Sequence, residues 1–203
     1  MTRLAGKCAM ITGAARGIGQ AFAKAYVAEG ARVIIADIDD ARATETANAI
    51  GDSAMAVRMD VTDTSSIAAA IAQAQANGFG PIDILINNAA IFTAAPIVEI
   101  TETDFDRVFD INVKGTLFTM QSVAQHMIEN GVKGRIINMA SQAGRRGEPL
   151  GLWRYFWRQA PCCSRKPPAR LGAAPQAAPG VRLRRYRFAA ACAGTRPSPR
   201  PSS

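Results

Sequence analysis

Apolar positions along the chain fall into two alternating patterns. Short unbroken runs, Cys8-Ala9-Met10-Ile11 and Arg32-Val33-Ile34-Ile35-Ala36 first, then 54–59, 83–86 and 134–139, read as five buried strands. Between them lie stretches that are apolar on one helical face only. The first covers about 18–29 and carries Phe22, Ala23, Tyr26 and Val27 on that face. The second ends near residue 50, with Asp39 and Asp40 available to cap it. The third, about 65–76, turns Ile67 and Ile71 inward behind Thr62 or Asp63 as its cap. A fourth helical region opens on Thr101-Glu102-Thr103-Asp104, a capping-box-like start, and runs to about residue 129. Asn112, Val113 and Gly115 are poor helix formers within it and predict a bend between two helices. Strand and helix alternate throughout, which predicts an α/β fold with a Rossmann-like, doubly wound parallel sheet.

What the loops carry changes this from a fold into a candidate site. Thr12-Gly13-Ala14-Ala15-Arg16-Gly17-Ile18-Gly19 leaves the first strand and opens the first helix. That context makes a glycine pattern a candidate nucleotide site. Gly13 allows a tight turn, Gly17 a close approach of backbone to phosphate, and Gly19 close packing of helix on strand. The helix N-terminus offers free N–H groups and a positive dipole end to a pyrophosphate. Asp37 closes the second strand about 20 residues on, where an acid can take ribose hydroxyls. Asp60 and Val61, Asn87 and Asn88, and Ser141 also fall at carboxyl ends of strands, the edge where open α/β sheets bind ligands. Two adjacent asparagines leaving a buried strand need partners on a neighbouring strand or a cofactor. His126, the single histidine, lies among Gln125 and Glu129 and reads as a surface residue.

Charge divides the chain. Residues 1–150 hold 13 Lys+Arg against 16 Asp+Glu, a net of −3, whereas 151–203 hold 11 Lys+Arg and no acid, a net of +11. The overall +8 therefore belongs to the last quarter, which also carries eight of eleven prolines and three of four cysteines. This predicts a folded domain over 1–150 and an irregular basic tail over 151–203, with no strand-like run recognisable after the fifth strand. The tail composition admits a basic arm for nucleic acid. Its confinement to an Arg/Pro/Ala-rich stretch argues instead for a change of reading frame, since these residues have GC-rich codons. Read one base earlier, the codons of Trp157 to Cys163 force an alanine and end on a leucine. No run of about 18 apolar residues suggests a membrane span, and Met1 to Lys7 leads straight into the first strand. A cytoplasmic protein is expected. The cysteines have neither metal nor disulfide spacing, and no metal is expected.

Residues 4–150 resemble the short-chain dehydrogenase/reductase family. The resemblance rests on Thr12-Gly13-x-x-x-Gly17-x-Gly19, Asp60-Val61, Asn87-Asn88-Ala89-Ala90, Asn112-Val113 and Ser141 after Ile136 to Ala140. Ala90 stands where the family has glycine. The stretches 95–101 and 137–148 are similar to bacterial polyol dehydrogenases, sorbitol dehydrogenase in particular. The resemblance implies NAD as cofactor and a polyol or ketose as substrate. It implies that Gly13, Arg16, Gly17, Ile18 and Gly19 line the pyrophosphate and Asp37 the ribose. Asp60, Val61, Asn88, Ala89 and Ala90 would flank the nucleoside. Ser141 would hydrogen-bond the reacting carbinol and Asn112 would hold a relay water. The family base is a tyrosine with a lysine four residues later, which lowers the tyrosine pKa toward working pH. Tyr155 stands near the right distance, but Gln159 replaces the lysine, so the chain as written is expected to be inactive. The family assembles as homotetramers through two helices flanking the active site, of which only 113–129 is recognisable, so assembly should be impaired. Two other readings follow: a non-catalytic nucleotide-binding pseudoenzyme, or a Rossmann domain with a nucleic-acid-binding arm.

Overall fold

A computed structural model of the chain describes residues 2–93, 95 and 97–141. Tyr155, Gln159 and the tail 151–203 lie outside the described residues. Among the described residues five strands, β1 (Cys8–Thr12), β2 (Arg32–Asp37), β3 (Ala54–Arg58), β4 (Ile84–Asn87) and β5 (Arg135–Asn138), form one sheet in the order β3-β2-β1-β4-β5. Every pairing is parallel. The sheet therefore winds outward in both directions from β1, as the alternating pattern predicts.

The strands are apolar at consecutive positions because both faces are covered. Cys8 and Met10 of β1, with Ile34 and Val57, face one core with the buried face of α3 (Thr64–Ala76) and Val123 and Met127 of α5 (Thr116–Glu129). Ala9 and Ile11, with Val33 and Ile35, face a second core shared with α1 (Gly17–Ala28) and α2 (Asp40–Ile50). The first-helix residues Phe22, Tyr26 and Val27 pack against this second core beside buried Ala23.

Helix starts follow side-chain chemistry. Asp39 caps α2 by accepting from the Arg42 N–H, and Asp63 caps α3 by accepting from the Ser65 N–H. Thr101 and Asp104 form a complete capping box on α4 (Glu102–Phe109). The predicted bend takes another form. Residues Asp110–Gly115 continue α4 into α5 as a π-helical segment with helical backbone at both ends. One wide turn absorbs the irregularity, and Gly115 brings it against Val61, whose Cγ2 lies 2.8 Å from the position a Cβ on Gly115 would take.

The reading of His126 as a surface residue is corrected. His126 is buried, at 5% exposure, on the inner face of α5 with Thr119, Val123 and Met127. Its Nε2 accepts the Ile82 N–H at 3.1 Å, satisfying a backbone donor just before β4 that has no strand partner.

Candidate functional site

The sheet order places the loop after β1 beside the loop after β4, at the point where the winding reverses. Gly13 and Gly17 take positive φ, +62° and +61°, which favours glycine. Around a Cβ on Gly13, the Cα of Ala89 would stand at 2.8 Å, so the turn lies directly against the end of β4. A Cβ on Gly19 would meet Gly13 O at 2.5 Å and Asn88 Nδ2 at 2.7 Å. Around Gly17 nothing lies within 4 Å. The first and third glycines of the pattern are thus enclosed by protein, and the middle one faces open space.

Asn88 fastens the two loops. Its Nδ2 donates to Thr12 O at 2.9 Å and Gly13 O at 3.0 Å. In return the Thr12 Oγ1 accepts the N–H groups of Asn88 and Ala89, at 3.0 and 2.9 Å. Asn87 is buried and donates across to Asn138 Oδ1 of β5 at 2.8 Å. Both asparagines thus find partners on neighbouring strands. The β4–β5 register pairs Asn87 with Asn138, and Ala90 and Ser141, both exposed, follow this pair by equal intervals.

Asp37 ends β2 beside the glycine turn. Its Oδ2 accepts the Ala15 N–H at 2.9 Å and its Oδ1 the Asp39 N–H at 3.1 Å. On the far side of Ala15, its carbonyl accepts the Thr46 hydroxyl at 2.8 Å. Asp60 is half-buried and turns its Oδ1 to the N–H and hydroxyl of Thr62, while Val61 packs on Gly115. In the π segment, Asn112 clamps Ile91: Oδ1 accepts the Ile91 N–H at 2.9 Å and Nδ2 donates to Ile91 O at 2.7 Å.

The α1 N-terminus stands apart from those of α2, α3 and α4. Arg16, its N-cap, makes no side-chain cap bond, and no acid occupies the first turn. Its orphan N–H groups and positive dipole end face outward beside the open Gly17 and the exposed Arg16 and Ile18. This arrangement suits an anion. Alongside it an open cleft of about 360 Å³ lies between α1 and α2, with Arg16, Arg42 and Glu45 on its walls.

The sequence marks Thr12 only as the first residue of the glycine pattern, with no role for its hydroxyl, and does not mark Thr46 at all. A threonine inside a strand or helix reads as filler, and its hydroxyl matters only once the fold supplies the partner.

The model of the short chain dehydrogenase family matches residues 7–153. The chain belongs to the short-chain dehydrogenase family. Among its relatives, the sorbitol dehydrogenase of Cereibacter sphaeroides is 62% identical over 148 residues, covering 73% of this chain and 57% of that protein. The galactitol 2-dehydrogenase of Agrobacterium fabrum is equally similar, 62% over 148 residues with the same coverage. This short-chain dehydrogenase chain thus spans 57% of the length of both curated relatives. Among solved structures, the 3-ketoacyl-(acyl-carrier-protein) reductase of Brucella melitensis complexed with NADH superposes with a TM-score of 0.70 at 36% identity. It covers 76% of this chain and 66% of that one. No described helix is long and apolar enough to cross a membrane.

Proposed function

We propose that the chain carries the nucleotide half of an NAD-dependent oxidoreductase that oxidises a secondary alcohol of a polyol, such as sorbitol or galactitol, to the ketose. The observation that carries this reading is the uncapped α1 N-terminus behind the Gly13–Gly17 turn, with the Asp37 carboxylate beside it. The two polyol dehydrogenases at 62% identity support the substrate class, and the NADH-bound neighbour supports a nicotinamide cofactor.

In this reading Gly13, Arg16, Gly17, Ile18 and Gly19 hold the pyrophosphate and Asp37 the ribose diol. Asp60, Val61 and residues Asn88 to Ala90 enclose the nucleoside. NAD supplies the hydride acceptor. Ser141 hydrogen-bonds the carbinol oxygen. Among the described residues Asn112 keeps one N–H and oxygen lone-pair capacity beyond its two bonds to Ile91, enough for a relay water. Neither side chain takes a proton at neutral pH. That task falls to Tyr155, which has no lysine at 159 to favour its phenolate. A tyrosine with pKa near 10 is ionised about one part in a thousand at pH 7.

The domain division is part of the proposal: 1–150 is the short-chain dehydrogenase domain, and 151–203 is out of frame. The family match ending at residue 153 and the +11 charge beyond 150 both support it. Exposed Val113, Leu117 and Ile128 on the 110–129 segment support self-assembly through that helix, impaired without its companion.

The test is NADH formation, followed by absorbance, with sorbitol and galactitol. It compares the 203-residue chain with a frame-restored gene product at equal folded concentration. Activity only after frame restoration is expected. Robust turnover by the 203-residue chain would overturn the inactivity, and an inert restored enzyme would overturn the polyol assignment.

A further inference from the structure

The glycine turn is held from behind by a side-chain relay. Thr46, in the middle of α2 and 4% exposed, donates its single hydroxyl proton to Ala15 O at 2.8 Å. That hydroxyl is therefore not spent on its own helix, where a threonine commonly bonds the carbonyl one turn back. Gln20 of α1 donates its Nε2–H to the Thr46 oxygen at 3.0 Å, which leaves the hydroxyl proton to point at Ala15. Ala15 is itself buried, at 2% exposure.

The planarity of the peptide bond carries the consequence. In a trans peptide the carbonyl and the following N–H point in opposite directions. The carbonyl of Ala15 shares its plane with the N–H of Arg16. Aiming the first at α2 aims the second away from α2, and Arg16 is the N-cap of α1. The Arg16 N–H has no protein partner among the described residues. The neighbouring plane is fixed separately, because the Ala15 N–H is held by Asp37.

We propose that Thr46, oriented by Gln20, is a positioning residue for pyrophosphate: it locks the Ala15–Arg16 peptide so that the Arg16 N–H is presented to the anion. The proposal rests on the dinucleotide reading above and adds the device that pre-sets the loop. Two peptide planes flank Ala15, and each has its own clamp. Thr46 governs the one facing phosphate, and Asp37 the other.

Binding to the full 203-residue chain tests this. ADP-ribose carries the pyrophosphate, and adenosine lacks it. Thr46→Val removes the donor with little change of shape, and Thr46→Ser keeps it. Loss of one positioned hydrogen bond predicts roughly ten-fold weaker ADP-ribose binding by Thr46→Val. Adenosine binding should stay within about two-fold, and Thr46→Ser should restore ADP-ribose to near the unaltered level. In amide NMR spectra the Arg16 N–H should shift on adding ADP-ribose to the unaltered chain, and should not in Thr46→Val. Equal losses of both ligands, unchanged ADP-ribose binding, or failure of Thr46→Ser to rescue would each overturn the proposal. If the folded, unaltered chain binds neither ADP-ribose nor NAD, the dinucleotide reading itself falls, and this inference with it.

Discussion

Replacing Gly19 by alanine pits two effects of known size against each other. In an exposed helix interior, glycine to alanine stabilises by about 1 kcal/mol. Gly19 lies in the first turn of α1 at an ordinary negative φ, so no backbone strain opposes the change. Space does. The new Cβ would sit 2.5 Å from Gly13 O, 2.7 Å from Asn88 Nδ2 and 2.8 Å from Ala14 Cα. Two of these are backbone atoms, and the third is an amide already tied to Thr12 O and Gly13 O. Moving the turn carbonyl from 2.5 Å even to 3.0 Å requires a shift of about 0.5 Å, which pulls it from the Asn88 amide. Overpacking of this kind costs about 1–3 kcal/mol, and a weakened hydrogen bond adds about 1 kcal/mol. Set against the gain in propensity, Gly19→Ala should destabilise by about 1–3 kcal/mol. At 2–4 °C per kcal/mol for a chain of this size, Tm should fall by roughly 2–12 °C. Urea denaturation gives the free energy directly. Gly17→Ala is the control: its Cβ meets nothing within 4 Å, so it bears only the strain of φ +61°, about 1–2 kcal/mol. A Gly19→Ala protein as stable as the original, or more so, would refute the packing argument and leave propensity as the governing term.

Three further outcomes follow from the described geometry. Thr119 is fully buried and its hydroxyl has no hydrogen-bond partner among the described residues, so Thr119→Val should raise stability by about 1 kcal/mol in urea. Burial holds the His126 imidazole below the usual histidine range, with Glu129 partly opposing. The unfolded chain therefore binds the proton more readily, and stability should fall as pH drops through about 6.5 toward the lower folded value, then level off. His126→Gln keeps an acceptor for the Ile82 N–H and should abolish that step, leaving only the acid losses of carboxylates such as Asp63 and Asp104, whose hydrogen bonds lower their pKa. A step of unchanged size in the variant would assign it to other groups. Finally, like-charge repulsion at Asp37 should make NAD bind more tightly than NADP by a few kcal/mol, and Asp37→Asn should narrow the ratio of their Kd values at least ten-fold, roughly 1.4 kcal/mol. Equal Kd values for the two dinucleotides in the unaltered chain would remove Asp37 from the ribose role.

Much of the frame was legible because burial writes itself locally. A strand covered on both faces is apolar along most of its length, and Met10, Ile34 and Leu85 announce β1, β2 and β4 without reference to anything distant. Helix starts are legible for the same reason: Asp39, Asp63 and Thr101 bond to N–H groups within three residues of themselves. The packing part of the glycine pattern was legible too: a tight turn and a helix close on a strand leave no room for a side chain at the first and third glycines, while the phosphate role of the second belongs to the proposal. Gly13 and Gly19 are enclosed, and Gly17 is open.

Residues whose role depends on a distant partner were not legible. His126 follows Val123 by three residues and precedes buried Met127, so the inward stripe of α5 was present in the chain. Its polarity and the neighbouring Gln125 and Glu129 outweighed that spacing, because the compensating partner, the Ile82 N–H, lies 44 residues away. Asn112 shows the same effect from the other side. As a poor helix former it predicted a bend between two helices, and the irregularity falls there, but as a wide turn whose Asn112 amide closes on the backbone of Ile91, 21 residues earlier. Thr46 reaches Ala15 across 31 residues. In each case a short polar side chain disfavours the local structure it sits in, and a hydrogen bond to the backbone of another element accounts for its place. A polar residue on the inward stripe of a helix is therefore a sequence signal in its own right. At His126 and Thr46 it marks a backbone group 44 and 31 residues away that comes to the surface of the helix, whereas Thr119, on the same stripe of α5, has no hydrogen-bond partner among the described residues.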